Sequence, residues 1–224
     1  MSGELDALLE AAGLDRSLAA ALARYGELVL EANRRFNLSG ARSAAAISAH
    51  LLDSLSVLPY LRAPYVDVGS GAGLPAIPVA IATGMPVTLI EATAKKARFL
   101  ESALDRLGLA GQVVIDRAET AAHRPELRER FASGTVRAVG SAPTVAELLL
   151  PLIEPGGVAV LQRGPLDDRE RIALEDAALM LGGRLEAVAS LTDGRSIATV
   201  RKELPTPMRF PRRAGVPAKR PLCG

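Results

Sequence analysis

Gly69, Gly71 and Gly73 stand at alternate positions directly after a short apolar stretch, Tyr65 to Val68, whose one acid is Asp67. Glycine has no Cβ, so a chain with this spacing can turn tightly and lie against a ligand. Tyr65 to Val68 reads as a buried strand bounded by Pro64 and Gly69. Leu74 to Thr83 reads as an apolar helix that tolerates Pro75 in its first turn, where backbone N–H groups lack intrahelical partners. Strand, glycine turn and helix N-terminus together make the corner that holds a nucleotide in a doubly wound sheet. Val87 to Glu91 supplies a second strand ending in an acid, at the spacing of about 20 residues where a carboxylate accepts hydrogen bonds from ribose hydroxyls.

The frame of the glycines narrows the ligand. A dinucleotide fingerprint requires G-x-G-x-x-G, and the third position of that frame falls on Leu74. The observed G-x-G-x-G preceded by Asp67 is the usual first motif of S-adenosylmethionine-dependent methyltransferases. A nicotinamide-dependent reductase would share the sheet and the ribose acid, but an evident Tyr-Lys or His catalytic pair is missing. A methyl donor is therefore favoured as cofactor.

These residues need a sheet to position them, and the order of elements supplies one. Glu4 to Ala12 and Asp15 to Phe36 carry apolar residues at helical spacing, with Leu18, Leu22, Tyr25, Leu28 and Val29 on one face of the second helix. Ser43 reads as the N-cap of a third helix running to Leu58, where Pro59 stops it. His50 and Asp53 lie three apart on that helix and share a face; an ion pair or cap contact is the ordinary reading of such a pair. From Tyr65 onward strand and helix alternate, as in a parallel sheet. Thr93 caps a helix from Ala94 to Leu107 that Gly108 ends, its first turn holding Lys95, Lys96 and Arg98. Gln112 to Asp116 is a third strand, followed by Arg117-Ala-Glu119 in a loop. His123 to Ala132 reads as a polar helix, Thr135 to Val139 as a fourth strand carrying Arg137, and Thr144 to Leu152 as a helix. Pro155-Gly-Gly turns into the strand Val158 to Gln162, Asp167 to Leu181 is helical, and Arg184 to Ser190 with Arg195 to Lys202 form a closing hairpin around Thr192-Asp-Gly-Arg. The expected fold class is α/β: a seven-stranded Rossmann-like sheet with helices on both faces. The domain organisation read from this is a single unit over 1–204, with a helical extension at 1–62 and a core at 63–204, followed by a basic extended tail at 205–224.

Composition bounds the function class. At 224 residues with 49% hydrophobic content the chain can bury a substantial core. Net charge is only +2, yet Lys and Arg number 27, of which four are Lys. Arginine suits recognition of phosphates and base edges. The single Cys223 excludes a disulfide framework and favours a reducing, cytoplasmic setting. No apolar run reaches membrane-spanning length. The tail from Pro205 carries Arg209, Arg212, Arg213, Lys219 and Arg220 with no acid, and reads as an extended basic strand lying along a nucleic-acid backbone.

Several of these residues taken in order resemble one family. His50-Leu-Leu-Asp53-Ser, Val66-Asp-Val-Gly-Ser-Gly-Ala-Gly-Leu-Pro, Glu91 followed by Lys95-Lys96, Arg117-Ala-Glu119 and Arg137-Ala-Val are similar to the motifs of the bacterial small-subunit ribosomal RNA guanine-N7 methyltransferases. The resemblance runs from the Asn37-Leu38 turn to the tail. It implies a class I S-adenosylmethionine-dependent methyltransferase fold and a 16S ribosomal RNA or small-subunit precursor as substrate, with no membrane, no metal and a monomeric state. It places the donor site on Gly69, Leu74, Ala118, Glu119 and Arg137, with Glu91 at the ribose and Gly71 and Gly73 in the same corner. The chain departs from the family at Ser70, where Thr is usual, at Ala76, where Gly is usual, at Val136, where Ser is usual, and at Arg163, where a Lys-Gly pair is commoner.

That activity makes modest chemical demands. Guanine N7 has a free lone pair and no proton, so no general base is required and alignment is the main task. N7 faces the deep, narrow groove of paired RNA, so the target must be unpaired or splayed out. Arginine often reads N7 and O6 together; with N7 reacting, an arginine can hold only O6 or a phosphate. Arg137 and Arg163 are the candidate catalytic residues for that task, Arg137 alternatively serving the donor. Alternatives are a methyltransferase acting on another RNA, a protein or a small molecule, and a non-catalytic RNA-binding module on the same fold.

Overall fold

The structure is a computed structural model that describes residues 1–137, 140–191 and 194–223. Ala138 and Val139, expected to end the fourth strand, Thr192 and Asp193 of the hairpin turn, and Gly224 lie outside the described residues.

Helices α1 (Ser2–Ala11), α2 (Ala19–Arg35) and α3 (Ala44–Leu55) come first. Ser43 caps α3 as expected, its side chain accepting from the Ala46 N–H. The alternating region follows: β1 (Tyr65–Val68), α4 (Ala76–Thr83), β2 (Val87–Ile90), α5 (Ala94–Leu107), β3 (Gly111–Val114), α6 (Ala118–Ala121), β4 (Phe131–Arg137), α7 (Ala142–Leu149), β5 (Ile153–Arg163), α8 (Asp168–Met180), β6 (Gly183–Ser190) and β7 (Ser196–Lys202). Among the described residues the strands make one seven-stranded sheet in the order β3-β2-β1-β4-β5-β7-β6. It is parallel from β3 to β5, and β7 runs antiparallel between β5 and β6. The order reverses between β1 and β4, and ligands of open α/β sheets bind at the carboxyl ends of strands at such a reversal.

Each face of the sheet has its own core. On one face α2 and α3 bury Leu22, Tyr25, Val29, Ile47 and Leu51 together with Ile77 of α4 and Leu100 of α5. Fully burying each such side chain contributes about 1.5–3 kcal/mol. The N-terminal helices thus complete a core the sheet cannot close alone. On the other face α7 and α8 cover Val66, Val136 and Leu161, and Phe210 and Leu222 of the C-terminal segment join them.

Local differences from the sequence reading have identifiable causes. The α4 helix begins at Ala76, so Pro75 sits at the N-cap and residues 71–75 form a turn. Thr93 occupies the N-cap of α5 but makes no side-chain cap bond; its N–H is held by Glu91 Oε1 at 2.7 Å instead. The expected helix from His123 to Ala132 does not form. Pro125 biases Arg124 away from helical geometry, Glu129 has φ 52, and Phe131 already pairs with Ile153 in the sheet.

The tail departs most. After β7 the chain folds back as a strap with a short helix, α9 (Val216–Lys219). Arg128 donates to the carbonyls of Phe210 at 2.9 Å and Thr206 at 2.7 Å. Arg212 forms a forked pair with the fully buried Glu147 of α7, Nη2 to Oε2 at 2.6 Å and Nε to Oε1 at 2.9 Å. A carboxylate taken out of water requires a partner of this quality, and among the described residues Arg212 of the strap provides it. The acid-free tail thus has a fixed anchor in the fold, while Arg209, Arg213, Lys219 and Arg220 remain exposed.

Arg212→Ala strands Glu147 and should cost about 3 kcal/mol, the lower end for removing one partner of a buried ion pair. Urea denaturation measures the loss, and limited trypsinolysis should cut faster at Arg209 and Arg213. Wild-type stability with wild-type protection would show that the strap is not anchored through this pair.

Candidate functional site

The carboxyl edge of the sheet gathers the sequence-predicted residues. Gly69 follows β1, Glu91 follows β2, Ala118 and Glu119 open α6 after β3, and Arg137 and Arg163 end β4 and β5. Because β7 is antiparallel and Ser196 pairs with Arg163, Arg195 arrives at the same edge.

The glycine loop is held from both sides. Glu91 Oε2 accepts the Gly71 N–H at 2.9 Å while its Oε1 holds Thr93, so one carboxylate joins the ends of β1 and β2. From α2 the buried Tyr25 hydroxyl donates to the Ala72 carbonyl. Gly73, at φ +85, has no room for a side chain: a Cβ there would lie 2.5 Å from Ile77 and 3.0 Å from the Tyr25 hydroxyl. Gly71, at φ +56, faces open space instead, a Cβ meeting only the Gly69 carbonyl at 3.7 Å. Gly73 is thus demanded by packing, Gly71 by the surface it presents.

Beneath the loop lies a relay of buried hydroxyls. Tyr65 donates to Thr135 at 2.6 Å and Thr135 to Asp67 Oδ1 at 2.6 Å. Asp67 Oδ2 is buried with no hydrogen-bond partner. Burial pushes the Asp67 carboxyl up to about 7, against the pull of the Thr135 hydrogen bond and the Arg137 charge. Burial, with Asp67 nearby, also raises the Tyr25 hydroxyl.

Arg137 sits in a second cluster. Its Nη2 lies 3.2 Å from Asp53 Oδ2 and 2.9 Å from His50 Nδ1, and its Nη1 is 3.4 Å from Ser54 Oγ. Arg195 also pairs with Asp53. His50 and Asp53, read from sequence as a pair with each other, are brought together on Arg137. Burial and the Arg137 charge lower the His50 pKa.

Arg163 donates from Nη2 to Glu170 Oε1 at 2.6 Å, and the same oxygen accepts the Ala142 N–H at 2.9 Å. Its Nε and Nη1 are buried without partners. Glu119 turns away from the glycine loop: its Oε1 accepts the Gly215 N–H of the strap at 2.8 Å. Lys95 is exposed and stacks over Phe36 at 4.6 Å.

Tyr25, Thr135 and Arg195 were not singled out from sequence as site residues. Tyr25 reads as one more apolar-face residue and Arg195 as a turn residue, and neither carries a local signal of its distant partner. A cavity of about 790 Å³ opens beside Asp53 and Arg195, between Leu8, Leu52, Leu58 and Leu191. It does not reach the glycine corner, so the site is assigned from the corner's geometry.

The chain is similar to known proteins over most of its length. The rRNA small subunit methyltransferase G family matches residues 18–198. A ribosomal RNA small subunit methyltransferase G of Trichormus variabilis is 39% identical over 214 residues, covering 88% of this chain and 87% of the relative. One of Rubrobacter xylanophilus is 41% identical over 212 residues, covering 88% and 81%. Among solved structures, a geranyl diphosphate C-methyltransferase of Streptomyces coelicolor superposes with a TM-score of 0.55 at 11% identity, covering 66% of this chain and 78% of the other. That last likeness concerns the fold alone.

The state of Asp67 has a measurable consequence. Below about pH 3.8, the ordinary value, both folded and unfolded chains carry its proton; from there to about 7 only the folded chain keeps it. The unfolded state then binds fewer protons, so this group's contribution to stability is lost as pH rises through that window and levels off above it. Asp67→Asn mimics the protonated form. Its stability relative to wild type should rise between about pH 5 and pH 7, by at most about 1.4 kcal/mol per pH unit. Urea denaturation across that range tests it, and parallel pH profiles would show Asp67 ionised throughout.

Proposed function

The chain belongs to the rRNA small subunit methyltransferase G family, and we propose that it methylates N7 of a specific unpaired guanine in 16S ribosomal RNA or its precursor particle, as a cytoplasmic monomer using S-adenosylmethionine. The observation that carries this reading is the Glu91 carboxylate bound to Gly71 of the glycine loop, within a chain that matches the family from residue 18 to 198.

The residues present suit that donor. Each Glu91 oxygen has accepted one backbone N–H, and a carboxylate has about four acceptor sites, so both keep capacity for ribose hydroxyls. The open space at Gly71 admits a ligand against bare backbone. The Asp67 carboxyl, raised by burial to about 7, ionises readily beside a bound cation, because a nearby positive charge favours the deprotonated form. When bound, S-adenosylmethionine supplies an electrophilic methyl group on a sulfonium.

The protein's own part is alignment. N7 arrives with its lone pair free, so no residue must remove a proton, and the site has to orient the base and exclude water. Arg163 serves the acceptor: Glu170 fixes one end of its guanidinium, and its positive charge at the end of β5 suits guanine O6 or a flanking phosphate. Gly69, Gly71, Gly73, Leu74 and Glu91 hold the donor on one side. Ala118 contributes backbone on the other, and Glu119 supports it through the strap. The exposed Arg209, Arg213, Lys219 and Arg220 offer the RNA backbone a preformed basic surface.

Two variants separate the halves of the site. Glu91→Gln should weaken donor binding by roughly 1–3 kcal/mol, the range for losing hydrogen bonds to a charged group, as read by calorimetry; unchanged affinity would remove Glu91 from the donor site. Arg163→Met should leave donor affinity intact and lower single-turnover methylation of small-subunit RNA by about 10- to 100-fold, equivalent to one or two charge-assisted hydrogen bonds. Methylation mapping that finds the product on an atom other than guanine N7 would overturn the proposed acceptor.

A further inference from the structure

His50 is placed where a ligand meets the sheet, although it comes from the N-terminal helices. Arg137 ends β4, one of the two strands flanking the reversal of strand order, and His50 is bonded to Arg137. A guanidinium can only donate, so in the 2.9 Å contact between Arg137 Nη2 and His50 Nδ1 the imidazole nitrogen accepts. The ring is then neutral and its proton resides on Nε2. Among the described residues Nε2 has no protein partner, and it is not among the buried unpartnered atoms. It is an accessible donor of fixed tautomer at the mouth of the site.

Resting on guanine N7 as the acceptor, we propose that His50 reads the acceptor base by donating Nε2–H to guanine O6, with Arg137 as the positioning residue that fixes the ring. The chemistry of the Hoogsteen edge selects this kind of donor. The arginine fork spans O6 and N7 together and would occupy the lone pair that has to react. A single imidazole N–H engages O6 and leaves N7 free. A neutral ring also adds no positive charge beside a cationic methyl donor. Burial and the flanking Arg137 and Arg195, which outweigh Asp53, act in the same direction by disfavouring the imidazolium.

The test compares small-subunit RNA carrying guanine, inosine or 2-aminopurine at the methylated position, introduced by splint ligation. 2-Aminopurine keeps N7 and lacks O6; inosine keeps both and lacks only the 2-amino group. Wild type should methylate guanine and inosine at least about tenfold faster in single turnover than 2-aminopurine, because a buried donor left unpaired is costly. His50→Ala should slow guanine by about tenfold and leave 2-aminopurine unchanged, bringing the ratio near one. His50→Gln, which returns an amide N–H near the Nε2 position, should restore most of it. Equal slowing of both bases by His50→Ala, with donor affinity and thermal unfolding as in wild type, would reduce His50 to a structural residue. Independently of any variant, nitrogen NMR of the wild-type histidines should show His50 in the Nε2–H form, and the Nδ1–H form would overturn the assignment. If wild type modifies no guanine at N7, the reading of the reaction fails and this proposal falls with it.

Discussion

A buried carboxylate has to be shared or neutralised, and at Asp53 that requirement draws three distant parts of the chain together. Asp53 lies on α3 with its side chain almost wholly out of solvent. Removing such a charge from water costs several kcal/mol unless ionic and hydrogen-bonding partners compensate. The partners here are Arg137 from the end of β4 and Arg195 from the start of β7. One acid therefore fixes where an N-terminal helix meets the sheet edge, and the position of Arg137 follows from it. The Gln162 amide reinforces the joint by donating to the Asp53 carbonyl at 2.8 Å.

The N-terminal helices accordingly help build the candidate site. Tyr25 of α2 holds the glycine loop at Ala72, while Ile77 and Leu100 close off the space around Gly73. His50 and Ser54 of α3 meet Arg137. Without α2 and α3 the loop would lose a hydrogen bond and the packing that holds it. Burial and geometry at the corner thus depend on residues more than 40 positions upstream in the chain.

How much of this the sequence discloses depends on how far apart the interacting residues lie. The glycine corner, Glu91, the order of strands and helices, the Ser43 cap and the Gly108 stop are local signals, set by backbone freedom and periodicity within a few residues, and they survive folding almost unchanged. The strap is not local. Its extended reading followed from proline and basic composition, but Arg212 answers a buried acid 65 residues earlier, and no window of sequence contains both. The segment from His123 to Phe131 fails for a related reason. Its helical pattern is outweighed by Pro125, by the turn at Glu129 and by sheet pairing of Phe131. Arg137 was legible as a residue of the fourth strand, whereas its link to His50 was not, because shared helical spacing suggested that His50 and Asp53 would pair with one another.

The distribution of charge across the edge suits one kind of reaction better than its rivals. On the proposed donor side stand Glu91 and Asp67, one carboxylate with spare acceptor capacity and one whose pKa burial raises to about 7. On the proposed acceptor side stand Arg163, held by Glu170, and a histidine whose Nδ1 is already committed to Arg137. Because the lone pair on Nδ1 is taken up by a cation and Nε2 already bears a proton, the imidazole has no free site to act as a base. A substrate atom that had to lose a proton before attack would find no ready acceptor in the His50 ring. An atom that attacks with a pre-existing lone pair needs only to be held, and hydrogen-bond donors on one side with acceptors on the other are sufficient for that.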